Sequence, residues 1–153
     1  MHEPLSPDDV LALIPQQRPF RFVDRLLALH AEGAIGEYTF REDETFYAGH
    51  FPGDPVTPGV ILIETMCQTG LVALGIHLLG LEVPREEVAR TVTLFTDCQV
   101  EFERIVRPLD TVRVEAKRLF WRRRKLKSEV TLSLASGETV AKGTVSGMGV
   151  PRG

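Results

Sequence analysis

The stretch on which the interpretation of this chain turns runs from Gly49 to Gln68 and reads GHFPGDPVTPGVILIETMCQ. Its first half is a loop with three prolines, which restrict φ to about −65° and so hold His50 in place. Its second half is largely apolar and contains a single carboxylate, Glu64. A carboxyl group that loses its hydration there favours its neutral form, so we expect a raised pKa for Glu64. A held histidine followed by a desolvated acid indicates acid–base chemistry.

The apolar half of this stretch predicts the start of one long buried helix. Thr57 and Pro58 are predicted as its N-cap and first residue, and the helix is expected to run to the Leu79-Gly80 region, apolar nearly all round. Residues 60–79 are about long enough to span a bilayer, but they carry Glu64, Gln68 and His77 and no flanking positive cluster. We therefore expect a core helix that needs cover on every side, and no membrane partner.

The chain before this helix predicts a short helix and a hairpin. Ser6-Pro7-Asp8-Asp9 has an N-cap serine, an early proline and a carboxylate three residues after the cap, which predicts a helix through Ile14. Residues 20–30 and 34–41 roughly alternate between apolar and polar side chains, with Glu32-Gly33 as the turn between them. We expect this hairpin to pack over one side of the central helix.

The chain after the central helix predicts strands joined by short turns. Residues 91–106 are rich in β-branched and aromatic side chains, and residues 112–117 and 126–134 alternate. Ser136-Gly137 is predicted as a turn before a last strand over residues 139–146. The sequence therefore predicts a single α+β domain, residues 1–153, with a curled antiparallel sheet wrapped around one long central helix.

Composition limits the classes of function. The 153 residues include 43% hydrophobic side chains and a balance of 18 basic against 21 acidic ones, which suits one core and gives no overall electrostatic attraction for nucleic acid. Residues 1–5 lack the pattern of a secretory signal, so we expect a cytoplasmic protein. Cys67 and Cys98 are in no CxxC pattern, which favours neither a zinc site nor a disulfide framework.

Three motifs resemble one known family. Residues 18–25 (RPFRFVDR) resemble its N-terminal motif, residues 49–68 its active-site motif, and residues 101–104 with 108–110 a third, weaker motif. The family is that of the FabZ-type 3-hydroxyacyl-[acyl-carrier-protein] dehydratases, which have the hotdog fold. The resemblance implies a lyase that removes water from a 3-hydroxyacyl thioester to give the trans-2-enoyl product, with no metal or redox cofactor.

The resemblance also implies partners. It implies an acyl carrier protein that presents the substrate on a phosphopantetheine arm, and a homodimer in which His50 of one subunit faces Glu64 of the other. In some members such dimers assemble into a trimer of dimers. From the residues alone, a curled sheet with free edges around an all-round apolar helix also needs a second copy, whereas spacing alone would equally permit His50 and Glu64 to meet within one chain.

The chain departs from the family pattern at several positions. Gln16-Gln17 stands where a Pro-His or Leu-His pair is usual, and Arg21 stands where an apolar residue is usual. Thr57 replaces a common methionine, and Leu109 replaces a usual glycine. The reacting pair is intact, so these departures bear on substrate preference, including acyl-chain length, more than on chemistry.

Four residues of the central stretch receive roles. His50 is expected to act as general base at the carbon α to the thioester, and Glu64 to protonate the departing β-hydroxyl. Gln68, one helical turn after Glu64, is expected to orient that acid or the substrate hydroxyl. The free backbone N–H of Gly59, at the positive end of the helix dipole, is expected to stabilise the thioester oxygen. Three of them have a structural alternative: a loop contact for His50, an interface ion pair for Glu64 and helix initiation for Gly59.

Two other chemistries have weaker support. A metal site formed by His50, Asp54 and Glu64 lacks a second histidine at ligand spacing. A nucleophilic pair of Cys67 with His50 is disfavoured because apolar surroundings raise the pKa of a thiol and leave it unreactive. We therefore expect no metal and a packing role for Cys67.

Residues 121–127 form the one dense basic run, WRRRKLK, where two strands should turn. Arg122, Arg123, Arg124 and Lys125 are candidates for docking the acidic carrier protein, with a solvated hairpin as the alternative. Nucleic-acid binding is disfavoured because the run is short and the chain is net acidic.

Two rival functions stay open at this point. A hotdog thioesterase would hydrolyse the same class of thioester, but such enzymes need a carboxylate and do not need His50. A non-catalytic acyl-carrier-binding module would follow if the departures at Gln16, Gln17 and Arg21 narrowed or closed the acyl tunnel.

Overall fold

The computed structural model of the protein describes residues 2–152. Its elements in chain order are α1 (Pro7–Leu13), β1 (Arg25–His30), β2 (Gly33–Thr39), α2 (Gly59–Cys67), a π-helical segment (Gln68–Ala73), α3 (Leu74–Gly80), α4 (Arg85–Ala89), β3 (Thr91–Phe102), β4 (Thr111–Arg122), β5 (Lys125–Leu134) and β6 (Thr139–Pro151).

The strands form one antiparallel sheet in the order β1-β2-β4-β5-β6-β3. The two edges are therefore β1 and β3. Alternation of apolar residues places one face of the inner strands against the helix, where Val112, Val114, Val130 and Leu132 are buried. The expected architecture, a sheet around one long helix, is confirmed.

The segments α2, π and α3 make one continuous central helix, Gly59–Gly80, and every residue from Thr65 to Gly80 is buried. It is long and apolar enough to cross a membrane, with a mean hydropathy of 1.7, yet 72% of that window is buried inside the protein. This is the burial of a core helix, as the polar side chains within it predicted.

The start of the central helix differs from the prediction. Pro58, not Thr57, is the N-cap residue, and no side chain caps the helix. The hydroxyl of Thr57 is instead buried and lies 2.6 Å from the hydroxyl of Tyr47. The hydroxyl of Thr57 therefore holds the preceding loop in place and does not cap the helix, because it bonds to Tyr47, ten residues earlier in the chain.

The predicted strand over residues 20–30 is only partly correct, because β1 begins at Arg25. The N–H of Phe22 and the carbonyl of Phe20 bond to the side chain of Gln68 in place of a neighbouring strand. The alternation of side chains in residues 20–24 therefore reflects an extended segment that packs on the central helix.

The other elements lie where they were predicted, with ends that differ by a few residues. The capping box of α1 is present, with Ser6 and Asp9 bonded reciprocally, and the helix ends at Leu13. The strand predicted over residues 91–106 ends at Phe102. The last strand runs beyond the predicted Ser146 to Pro151.

Candidate active site

His50 is held by a two-way contact with Val56 across the proline-rich loop. The His50 ring Nδ1 lies 2.8 Å from the Val56 carbonyl oxygen, and the Val56 N–H donates to the His50 carbonyl at 2.9 Å. A carbonyl can only accept, so Nδ1 carries the hydrogen in the neutral ring and Nε2 keeps its lone pair. The geometry therefore leaves Nε2 as a base.

The loop that follows His50 is held by contacts at Asp54 and Thr57. The Thr57 N–H donates to the Val106 carbonyl at 2.8 Å, and Arg107 pairs with Asp54 at 2.9 Å. Burial raises the pKa of Tyr47 to about 12, so this phenol stays neutral in its contact with Thr57. These contacts pre-position the imidazole.

Glu64 lies in the first half of the central helix and is partly buried. Burial raises the pKa of its carboxyl group above the usual value, and a hydrogen bond from Gln68 opposes that rise. The amide Nε2 of Gln68 donates to Glu64 Oε2 at 2.8 Å. A carboxyl group of this kind is suited to carry a proton closer to neutral pH.

Gln68 is completely buried, and its amide makes two further bonds. Nε2 donates to the Phe20 carbonyl at 2.9 Å, and Oε1 accepts from the Phe22 N–H at 2.7 Å. These backbone partners fix which end of the amide is oxygen. Sequence reasoning missed the role of residues 20–22, although their position in the N-terminal motif was a signal.

Gly59 is the first residue of the central helix, and its N–H has no hydrogen-bond partner among residues 2–152. A Cβ at this position would lie 3.3 Å from the Phe102 ring, so the glycine leaves room between helix and strand. The free donor is available to an acceptor from outside the chain.

The structure does not join the two predicted reacting groups within one chain. No hydrogen bond or ion pair links His50 to Glu64 in the described part of the chain. Residues 2–152 also contain no group of three His, Cys, Asp or Glu side chains that could hold a metal ion. Cys67 is buried, and burial raises the pKa of its thiol.

The basic run lies at the β4–β5 hairpin, as predicted. Arg123 and Arg124 form the turn with φ values of 52° and 64°. Arg124 is partly buried, where it pairs with Glu87 of α4. Arg122, Arg123 and Lys125 are exposed, so three of the four candidate docking residues face solvent.

Comparisons with known proteins agree on one family. The FabA-like domain matches residues 14–144. The 3-hydroxyacyl-[acyl-carrier-protein] dehydratase FabZ of Chloroflexus aggregans is 40% identical over 115 residues, 74% of each chain. The enzyme of the same name from Roseiflexus castenholzii is 34% identical over 141 residues, 91% of this chain and 92% of that one.

Solved structures support the hotdog fold. A dehydratase heterocomplex, ApeI:P from Xenorhabdus doucetiae, aligns with a TM-score of 0.72 at 14% identity, over 97% of this chain and 91% of that chain. A thioesterase from Haemophilus influenzae aligns with a TM-score of 0.67 at 10% identity, over 97% and 93%. At such identities the likeness concerns the fold alone.

Proposed function

The chain belongs to the FabA-like family and is a FabZ-type 3-hydroxyacyl-[acyl-carrier-protein] dehydratase, in which we propose that His50 and Glu64 are the reacting groups. The observation that carries this assignment of roles is the bond between His50 Nδ1 and the Val56 carbonyl. It leaves Nε2 as the free lone pair of a rigidly held ring. A base in that state is what removal of a proton α to a thioester requires.

The reaction divides between the two side chains. His50 Nε2 takes the α-proton, and the electrons of that C–H bond form the Cα–Cβ double bond. The Cβ–O bond breaks as Glu64 gives its proton to the β-hydroxyl, which leaves as water. Return of the proton from the imidazolium to the carboxylate through solvent restores both groups.

Gln68 and Gly59 support these steps without exchanging protons. Both amide hydrogens of Gln68 are in use, so we assign it to holding the Glu64 carboxyl group in place. The unpaired N–H of Gly59 would donate to the thioester oxygen as that oxygen gains negative charge. Phe102, which lies against Gly59, would exclude water from this contact.

A homodimer would complete the site. The edge strand β3 is exposed over residues 94–99, including Leu94 and Phe95, which are 54% and 51% exposed. Val60, at the start of the central helix, is 74% exposed. Pairing of β3 with a second copy would cover this apolar edge. We assign the shared arrangement, with His50 of one chain and Glu64 of the other, to this dimer, and leave a trimer of dimers as a higher state.

The substrate carrier would dock at the β4–β5 hairpin. Arg122, Arg123 and Lys125 make no ion pair among residues 2–152, whereas Arg124 is held by Glu87. Unpaired cations in a net acidic chain suit an acidic carrier protein. Fatty-acid synthesis or a related polyketide or polyene pathway in the cytoplasm is the setting we propose for this activity.

A crotonyl thioester tests the assignment, because its absorbance falls on hydration. The wild-type protein should hydrate it reversibly, whereas release of free thiol would indicate a thioesterase and no change a non-catalytic module. His50→Asn and Glu64→Gln should each lower turnover by at least about 10²-fold, as expected for loss of a positioned acid or base. Cys67→Ala is the matched control and should stay within about threefold, since its buried thiol takes no part. Near-normal turnover in folded His50→Asn would reject the mechanism.

A further inference from the structure

We infer that Arg21 is a positioning residue for Glu64, acting through the backbone of its two neighbours and the amide of Gln68. The inference rests on the acid role proposed for Glu64. It adds a residue that shows no hydrogen bond to the carboxyl group and that no motif of the active site includes.

The first link is between Gln68 and the residues that flank Arg21. Gln68 accepts from the Phe22 N–H at 2.7 Å and donates to the Phe20 carbonyl at 2.9 Å. The same Nε2 donates to Glu64 at 2.8 Å. Any shift of residues 20–22 therefore moves the amide that holds the acid.

The second link is the lack of a strand ladder around Arg21. Residues 20–24 lie outside every strand, and their backbone bonds to other backbone groups are limited to Phe20 N–H with Gln17 and Asp24 N–H with Glu37, each at 2.8 Å. Side-chain contacts must therefore fix the segment between them. The buried ring of Phe22 supplies one such contact.

The third link is the Arg21 guanidinium, which donates to the carbonyl of Leu11 in α1. Leu11 lies in the last turn of this short helix, at the negative end of the dipole, and its carbonyl otherwise accepts only a long bond of 3.4 Å from the Ile14 N–H. Burial lowers the pKa of Arg21, with the charge of Asp24 opposing, so the cation is held where desolvation disfavours it. The contact with Leu11 compensates in part and anchors the segment to α1.

Loss of this anchor has a specific consequence for the acid. A loosened segment weakens the bond from Gln68 to Glu64, and that bond lowers the pKa of Glu64 against the effect of burial. The pKa of Glu64 should then rise further. Turnover falls because the acid is misplaced, while the alkaline limb of the pH–rate profile moves to higher pH because the acid keeps its proton longer.

The test compares Arg21→Met, Arg21→Lys and a control in the purified protein. Arg21→Met should lower kcat about tenfold, with KM within about twofold, because a small misplacement of a reacting group is costly to turnover. Its alkaline limb should move up, and Arg21→Lys should recover most of kcat because its ammonium can still donate. Arg25→Met, which removes an exposed pair with Glu37, should change neither quantity.

A second measurement keeps the inference open to rejection if Arg21→Met folds poorly. In a Gln68→Ala background, Arg21→Gln should lower kcat by less than about twofold, and by less than it does in the protein with Gln68, because the two sites act in series. The inference would be overturned if the losses of kcat at the two sites were additive. A normal kcat and a normal alkaline limb of the pH–rate profile in folded Arg21→Met would also overturn it. Near-normal turnover of Glu64→Gln would instead reject the proposed acid role, so the two failures are distinguishable.

Discussion

Two inactive variants should restore activity to one another if the active site is shared between subunits. In a dimer of His50→Asn with Glu64→Gln chains, one site combines both substitutions and the other has both wild-type groups. Random exchange makes hybrids about half of the dimers, and half of their sites are intact, so the mixture should reach about a quarter of wild-type activity.

The experiment requires unfolding and refolding the two variants together in equal amounts. Native mass measurement gives the hybrid fraction, and hydration of a crotonyl thioester gives the activity. Each variant refolded alone is the first control. Wild-type chains refolded alone correct for losses during refolding.

A mixture of wild type with the His50→Asn/Glu64→Gln double variant is a matched control with a different expected value. If the site is shared, hybrids have no intact site, and activity falls to about a quarter of that of wild type. If each chain has its own site, hybrids keep one, and activity stays at about half. Hybrid dimers confirmed by mass, with the single-variant mixture inactive and the control at one half, would refute the shared site.

Four further predictions follow from individual side chains. Glu64→Gln should unfold at a higher denaturant concentration than wild type at pH 7 but not at pH 4. The pKa of Glu64 is higher in the folded than in the unfolded chain, so its ionised form at pH 7 favours the unfolded chain. Equal midpoints at pH 7 would contradict this. Burial lowers the pKa of His77, and a smaller effect of His30 is opposed by Glu32. The free energy of unfolding should therefore fall as the pH drops below about 6.5. In urea titrations, His77→Gln should weaken this pH dependence. Leu109→Gly should raise the free energy of unfolding by about 0.5–1 kcal/mol, because Leu109 is 61% exposed at φ 73° and glycine relieves the left-handed conformation. Charge reversal at Arg123 should raise KM for carrier-bound substrate and reduce its salt dependence but spare a small thiol ester; equal losses on both would mean a structural hairpin.

The sequence predicted the helix and the inner strands because local pattern and tertiary contacts agree there. The apolar run of the central helix and the alternation in β4 and β5 both survive in the structure. The prediction was wrong at Thr57 and at residues 20–24, where distant partners decide. Tyr47 takes the hydroxyl of Thr57, and Gln68, 46 residues after Phe22, takes the N–H that a strand would have used.

For the candidate site, too, local pattern predicted some features and distant contacts decided others. His50 and Glu64 were predicted as reacting groups from residue type and setting, because a held imidazole and a lone acid in an apolar helix stand out locally. The contacts that orient them, from Val56 and Gln68, depend on how a loop and a helix face meet. The spacing of four residues predicted Gln68 as the partner of Glu64, whereas the contact of His50 with Val56 came only from the structure.

The position of Glu64 along the central helix supports the acid role proposed for it. Val60 is exposed at the start of the helix, Glu64 is partly buried one turn later, and Gln68 is completely buried after a second turn. A carboxyl group at the position of Gln68 would pay the full cost of desolvation, and one at Val60 would keep an ordinary pKa. At position 64 partial burial raises the pKa while the amide of Gln68 limits the rise. The depth of Glu64 in the helix therefore raises its pKa, and a shift of that carboxyl group by one turn toward Val60 should remove this rise.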